Sequence, residues 1–494
     1  MRLPRALVLT LGRLAEIVPV AIVLGSHALP AQPTARSTPQ LTPRVIPQPT
    51  IHAAAQSCAP ARTALVLSGG AAKGFAHIGV LQVLDSIGLK PDLIVGTSVG
   101  AMVGQLYASG YNAREVDSLM RALPFESVIR RYEPSVSSSL GLLKAIAVWE
   151  RGETGYRLQT GAAREGEVNA LIASLALRGN LLARGNFDSL PIPFRAVATD
   201  LRTQRPVVMG DGDLAYAVRA SVALPLLFQP VRSRSATDTT WLVDGALSAN
   251  AAVAEARALG ATRVWVSRLP YSPADHKAFD DPITLTEALV NSLFKEDSTT
   301  PRPGDVNIVN PTYTVEALDF RRATMDSLVV QGHATARAAF AAAACVRPMN
   351  AGDDTRAGAR AGFALPVRVG AVTEEASNAP DGAAVLAGIG VAPGRTVDLR
   401  RMERGVHEVG HSERIQAVWL NPGGSGAAVT FRPELVPAPR RAFGVGVAFD
   451  QFMSGRLWVG GVDRSAFRTN AEASVVARFG TYEQDALGFV RMHL

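Results

Sequence analysis

The stretch Asp92-Leu93-Ile94-Val95-Gly96-Thr97-Ser98-Val99-Gly100-Ala101-Met102-Val103-Gly104-Gln105-Leu106-Tyr107 decides how the rest of the chain is read. Its opening apolar run, closed by a glycine, predicts a short strand buried on both faces, and a helix resumes from Ala101. Between them, Gly96-Thr97-Ser98-Val99-Gly100 has the G-x-S-x-G spacing. In that motif a serine sits on a strained strand-to-helix turn, and Gly96 and Gly100 relieve the crowding so that its hydroxyl is presented at a helix N-terminus. The five-residue pattern alone arises often by chance. Its place between a strand and a helix is what makes Ser98 a candidate nucleophile.

Moving toward the N-terminus, Ala64-Leu65-Val66-Leu67-Ser68 reads as a second buried strand. It is followed by Gly69-Gly70-Ala71-Ala72-Lys73-Gly74 and by a helical period through Ile78, Leu81 and Leu84. A glycine turn of this kind directs backbone N–H groups at one spot beside a positive helix end, which suits a phosphate or a developing oxyanion. The glycine spacing does not fit a dinucleotide fingerprint, and no Gly-Lys-Ser/Thr of a P-loop is present. A serine hydroxyl also needs a base. Of the eight histidines, His276 and His333 follow the elbow within the α/β region, one in a polar loop and one in an alanine-rich helix, so both read as surface residues. A carboxylate is better placed. Trp241-Leu242-Val243 predicts a strand that ends in Asp244-Gly245-Ala246, with Gly245 allowing close backbone approach.

These three elements, in this order, resemble the patatin-like phospholipase family. The resemblance runs from about Ala64 to Ser267 and takes in Phe187 to Pro193, Ala198-Thr199-Asp200-Leu201, Arg219-Ala220-Ser221 and Pro225. It implies a three-layer α/β hydrolase sheet flanked by helices, with Ser98 as nucleophile and Asp244 as base. The backbone at Gly69, Gly70 and Ala71, helped by Lys73, would form the oxyanion site, and Gly74, Gly96, Gly100 and Gly245 would support the motifs. It also implies a phospholipid or other lipid ester as substrate, with no metal and no cofactor. Ala71 departs from the family, which more often has a third glycine there. If φ must be positive at that position, alanine costs about 1 kcal/mol.

Further along, residues 319–346 predict an alanine-rich helix closing the domain, and residues 349–363 a Gly/Ala/Asp/Arg linker. The region 364–438 then reads β-α-α-β-β, with residues 365–372, 415–420 and 427–435 as strands and Asn421-Pro422-Gly423-Gly424 as the turn joining the last two. That order resembles a polypeptide-transport-associated (POTRA) domain. Residues 439–494 alternate small or polar with apolar residues in four segments and look like the opening strands of an outer-membrane barrel. Four strands cannot close a barrel, so an unfinished sheet with exposed edges is expected.

At the other end, two arginines among the first five residues, an apolar stretch at 17–25 and Ser26-His27-Ala28 predict a signal peptide over 1–28. Residues 29–61 read as a tether and 62–348 as the hydrolase domain. The expected location is an outer membrane or cell surface, or secretion. Cys58 and Cys345 permit at most one bridge and are too few for a zinc site. Across 494 residues, 47% hydrophobic and 19% charged composition excludes a disordered polymer. The excess of 50 Lys plus Arg over 43 Asp plus Glu is too diffuse to argue for nucleic acid. A membrane is the expected partner, and a homodimer is allowed. The competing reading is an outer-membrane assembly or binding module carrying a vestigial hydrolase domain.

Overall fold

The computed structural model describes residues 61–125, 147–152, 155–159, 165–232, 240–270, 300–312, 315–343, 368–373, 382–412, 414–450, 454–466, 471–480 and 484–492. The leader, the tether, the linker, His276, Cys58 and Cys345 lie outside these residues.

In chain order, the first part of the fold runs β1 (Thr63–Leu67), α1 (Phe75–Ser86), β2 (Leu93–Thr97), α2 (Val99–Ala108) and α3 (Ala113–Arg121). A hairpin of β3 (Ala147–Arg151) and β4 (Tyr156–Leu158) follows, then α4 (Glu165–Ala183), β5 (Phe194–Asp200), β6 (Pro206–Met209) and α5 (Leu214–Ser221). Next come β7 (Val231–Arg232), β8 (Trp241–Asp244), α6 (Ala246–Ala249), α7 (Val253–Ala258), β9 (Arg263–Arg268), β10 (Val306–Val309) and α8 (Arg322–Ala342). Among the described residues, eight of these strands form one mixed sheet in the order β10-β9-β1-β2-β5-β8-β7, with β6 also on β5. The strands from β10 to β5 run parallel, and β8 returns antiparallel to β5. Both faces are covered. Leu65, Leu67 and Ile94 pack with Phe75, Ile78, Val103 and Leu328 on one side. Ala64, Val66, Leu93 and Val95 pack with Val253 and Ala256 on the other. Burial on both faces is why these strands read as unbroken apolar runs.

The remaining elements are β11 (Arg368–Val372), α9 (Gly382–Ile389), α10 (Leu399–His411), β12 (Ile415–Trp419), β13 (Pro422–Gly423), β14 (Ala428–Phe431) and β15 (Glu434–Pro437). Strand β11 lies parallel to β14, while β12 pairs with β15. This corrects the hairpin expected between 415–420 and 427–435. The second of those segments is two strands in two sheets, divided at Arg432-Pro433, where proline offers no N–H to a ladder. Helix α10 starts at Leu399, where the Asp398 side chain caps it by accepting from the Arg401 N–H at 3.2 Å.

These elements share a core with the hydrolase sheet. Met402, Val406, Trp419 and Phe431 belong to the same buried cluster as Val168 and Ile172 of α4. Asn169 donates to the Gln416 carbonyl at 2.7 Å, and the Asn421 N–H donates to Asp213 at 2.9 Å.

The final strands are β16 (Arg441–Asp450), β17 (Ser454–Ala466), β18 (Ala471–Gly480) and β19 (Gln484–Met492). Their sheet has six strands, not four, in the order β19-β18-β17-β16-β3-β4. The edge expected to be open at β16 is taken by the hairpin 147–158 from inside the hydrolase region, with Phe443 opposite Trp149. Their rings stack with centroids 5.1 Å apart. One face buries Trp458, Val462 and Val476, and the other exposes Leu457, Val475 and Phe479. Among the described residues, no helix is long and apolar enough to cross a membrane.

Candidate active site

Ser98 is the residue between β2 and α2, at φ 53° and ψ −126°. A non-glycine residue holds that conformation only when its surroundings impose it. Here its N–H donates to Ser221 Oγ at 2.9 Å, and Ser221 Oγ donates to the Val197 carbonyl at 2.6 Å, tying the elbow to the end of α5 and to β5. The flanking glycines are required by contact. A Cβ on Gly100 would fall on the Leu67 carbonyl, and one on Gly96 would lie 2.6 Å from the Ala101 Cα. Gly245 passes equally close to the Val197 carbonyl, and Gly74 to the Val99 side chain.

Strand register brings Asp244 to this point. Thr97 aligns with Val197, and Asp244 aligns with Ala198, the next residue on the same middle strand β5. Ser98 Oγ therefore donates to Asp244 Oδ2 at 2.6 Å, although the two are 146 positions apart in the chain. The other carboxylate oxygen, Oδ1, accepts from the Ala246 N–H at 2.9 Å. The Asp244 carbonyl accepts from Thr199 Oγ1 at 2.8 Å. Asp244 is 1% exposed. Burial raises its pKa to about 6, against the pull of the hydrogen bonds from Ser98 and Ala246.

The glycine turn lies over the serine. A Cβ placed on Gly69 would be 3.1 Å from Ser98 Cβ and 2.9 Å from Asn250 Oδ1. The Gly69 N–H itself is taken by Asn250 Oδ1 at 2.9 Å. That corrects one expectation, since an N–H bonded to a buried side chain is not offered to an oxyanion. The N–H groups of Gly70 and Ala71 find no protein acceptor among the described residues. Ala71 sits at φ 48°, so alanine does occupy the left-handed position where a glycine is more usual. Lys73 is buried at the base of the turn, where its Nζ donates to the Pro270 carbonyl at 3.5 Å.

Of the two histidine candidates only His333 is among the described residues, and it is not a hydrogen-bond partner of Ser98 or Asp244. His333 lies within α8, which packs on α1. Among the described residues, no group of three or more His, Cys, Asp or Glu side chains is placed to hold a metal ion.

Four supporting residues were not assigned a part by sequence reasoning. Asn250 acts through one long-range hydrogen bond and Ser221 through two, and no local pattern announces them. His77 is fully buried, with Nδ1 2.8 Å from Ser267 Oγ and Nε2 2.8 Å from the Ser68 carbonyl. It shares the mostly apolar helix Phe75 to Leu84 with one other polar residue, Gln82, and it is the one of the two that is fully buried. Arg219 is 1% exposed and pairs with Glu165 at 2.5 Å and with Asn169 Oδ1 at 2.7 Å. This fixes α5, the helix whose last residue is Ser221.

Comparison with known proteins finds a family match over the same part of the chain. Residues 65–257 match the family model described as Patatin-like phospholipase. An uncharacterized NTE family protein of Mycobacterium tuberculosis is 32% identical over 169 residues, 34% of this chain and 39% of that protein. The uncharacterized protein YqhO of Bacillus subtilis is 27% identical over 197 residues, 37% of this chain and 63% of that protein. Human patatin-like phospholipase domain-containing protein 6 is 29% identical over 201 residues, 41% of this chain but 13% of that protein. Each match thus spans less than two thirds of the relative. The part of the chain from residue 65 to residue 257 is a patatin-like phospholipase domain, an enzyme domain of the hydrolase class.

Proposed function

We propose that the chain is a serine acyl hydrolase of lipid esters, of the phospholipase A type, working through Ser98 and Asp244 without a histidine. The observation that carries this reading is the 2.6 Å hydrogen bond from Ser98 Oγ to a buried carboxylate, beneath the turn at Gly69 to Ala71. As Oγ attacks the ester carbonyl carbon, its proton passes to Asp244 Oδ2 and the C–O bond to the alcohol breaks. The alcohol leaves with that proton, and the acyl group stays on Ser98. Asp244 then takes a proton from water as the water oxygen attacks the acyl carbonyl. Ser98 leaves and regains the proton from Asp244. In both halves the carbonyl oxygen becomes an oxyanion, for which the N–H groups of Gly70 and Ala71 are the candidate donors. Burial suits Asp244 to the work, because a pKa of about 6 makes it a stronger base than an exposed aspartate while leaving it ionised at neutral pH.

We further read the chain as exported and membrane-associated. The leader-like N-terminus supports export, and the exposed apolar face around Leu457, Val475 and Phe479 supports contact with lipid. The competing reading, a binding module with a vestigial hydrolase domain, is disfavoured by an intact Ser98–Asp244 pair. The test is fatty-acid release from phospholipid vesicles and from short-chain esters by the purified full chain. Release by wild type and none by Ser98→Ala is expected, and a folded wild type inert on both substrate classes overturns the reading.

A further inference from the structure

The peptide joining Ser68 to Gly69 is held at both ends by buried side chains from two different parts of the chain. Its carbonyl accepts from His77 Nε2 at 2.8 Å, and its N–H donates to Asn250 Oδ1 at 2.9 Å. A peptide is planar, so fixing its carbonyl and its N–H fixes the place of the Gly69 Cα and the direction in which the chain enters the turn. The residues that follow are Gly70 and Ala71, whose N–H groups face no protein acceptor among the described residues.

His77 is equipped to do this without ambiguity. A carbonyl only accepts, so Nε2 carries the hydrogen. Nδ1 of the neutral ring must then accept, and Ser267 Oγ supplies the hydrogen across 2.8 Å. Ser267 Oγ in turn accepts from Asn310 Nδ2 at 3.0 Å. His77, Ser267 and Asn310 are each fully buried. Burial holds the His77 pKa down to about 4, so the ring stays neutral and its tautomer is set across the neutral range. The strand end is fixed by the same group of residues. The Ser68 N–H donates to the Ser267 carbonyl at 3.2 Å, and Ser68 Oγ accepts from the Leu269 N–H at 3.0 Å.

We propose that His77 and Asn250 are positioning residues that orient the Gly70–Ala71 amides toward the oxyanion by clamping the plane of the Ser68–Gly69 peptide. The proposal rests on the Ser98–Asp244 reading. Neither residue is given a proton to transfer. Their effect is on kcat, because donors aimed at charge that develops only in the transition state do not change substrate binding.

Substituting His77 by Gln and by Leu separates this role from packing. Glutamine keeps an N–H able to reach the Ser68 carbonyl, whereas leucine fills the space without one. The full chain and both variants are assayed for kcat and KM on a soluble ester, for Ser98 labelling by a fluorophosphonate, and for Tm. The expected result is a kcat about 100-fold lower in His77→Leu, the scale of losing one oxyanion donor, with KM within twofold. His77→Gln should recover to within about tenfold of wild type. Equal kcat in the two variants, or a loss that follows Tm alone, overturns the proposal. Should both fold poorly, Asn250→Ala provides the second reading, with a kcat loss at unchanged KM expected and an unchanged kcat contradicting the clamp. A wild type that neither turns over ester nor labels would instead defeat the underlying reading of Ser98 and Asp244, so the two failures are distinguishable.

Discussion

The hydrolase sheet and the C-terminal sheet are both built from apolar strands, yet they use them in opposite ways. In the first, β1 and β2 are buried on both faces and their C-terminal ends converge on Ser98. In the second, β16 to β19 alternate, with Trp458 and Val462 turned inward while Leu457 and Phe479 stay about half exposed. Covering both faces leaves the strand ends as the place where polar groups meet, which is where the strained serine and the buried aspartate lie. Covering one face leaves an apolar surface instead. The proposed function places chemistry in one sheet and lipid contact in the other, and each proposal can be broken separately.

The largest expected effect is on the first. Ser98→Ala and Asp244→Asn should each lower ester turnover by a factor of about 10³ or more, whereas His333→Ala and His276→Ala should leave it within about twofold. Loss of activity in either histidine variant, with the fold intact, would point to a triad. The pH profile sharpens the same assignment. A base with a pKa of about 6 must be ionised to act, so kcat/KM should fall about tenfold per pH unit below that value.

Stability should move the other way. The Asp244 pKa is raised on folding, so the native state binds its proton more readily than the unfolded chain. Stability therefore falls as pH rises from about 4 to 6, and the full penalty applies above 6. Asp244→Asn removes that penalty and should stabilise the fold at pH 7 by about 2–3 kcal/mol, read from denaturant unfolding.

The second sheet is tested by Leu457→Ser with Phe479→Ser, cross-strand neighbours on the exposed face. The pair should weaken vesicle binding about tenfold or more while soluble-ester turnover is unchanged. Equal vesicle binding would remove the contact role. The smallest effect expected is for Ala71→Gly, which relieves a residue at φ 48° and should stabilise by up to about 1 kcal/mol.

Much of this was legible in the sequence because the local rules and the global fold agree there. The runs before Gly69 and Gly96 are strands since both faces are covered, and G-x-S-x-G followed by Asp-Gly-Ala marks the two side chains that the fold brings within hydrogen-bond distance. The supporting bonds were not legible. Asn250 to Gly69 and Ser221 to Ser98 each join positions more than a hundred residues apart, and no spacing encodes them. The hairpin at 147–158 was missed for a related reason. Ala147-Val148-Trp149-Glu150-Arg151 does alternate, but its partner β16 lies almost three hundred positions away and its pairing becomes evident only in three dimensions. Proline misled in the opposite direction. Pro433 splits a segment whose apolar pattern reads as continuous, and the two halves go to different sheets.

The most direct measurement is the site and rate of modification by a fluorophosphonate, read by peptide mass spectrometry on wild type, Ser98→Ala and Asp244→Asn. The account predicts a single adduct on Ser98 in wild type, none in Ser98→Ala, and labelling slowed by orders of magnitude in Asp244→Asn. An adduct on another residue, or labelling of Ser98 that proceeds at the wild-type rate once Asp244 is asparagine, would contradict it.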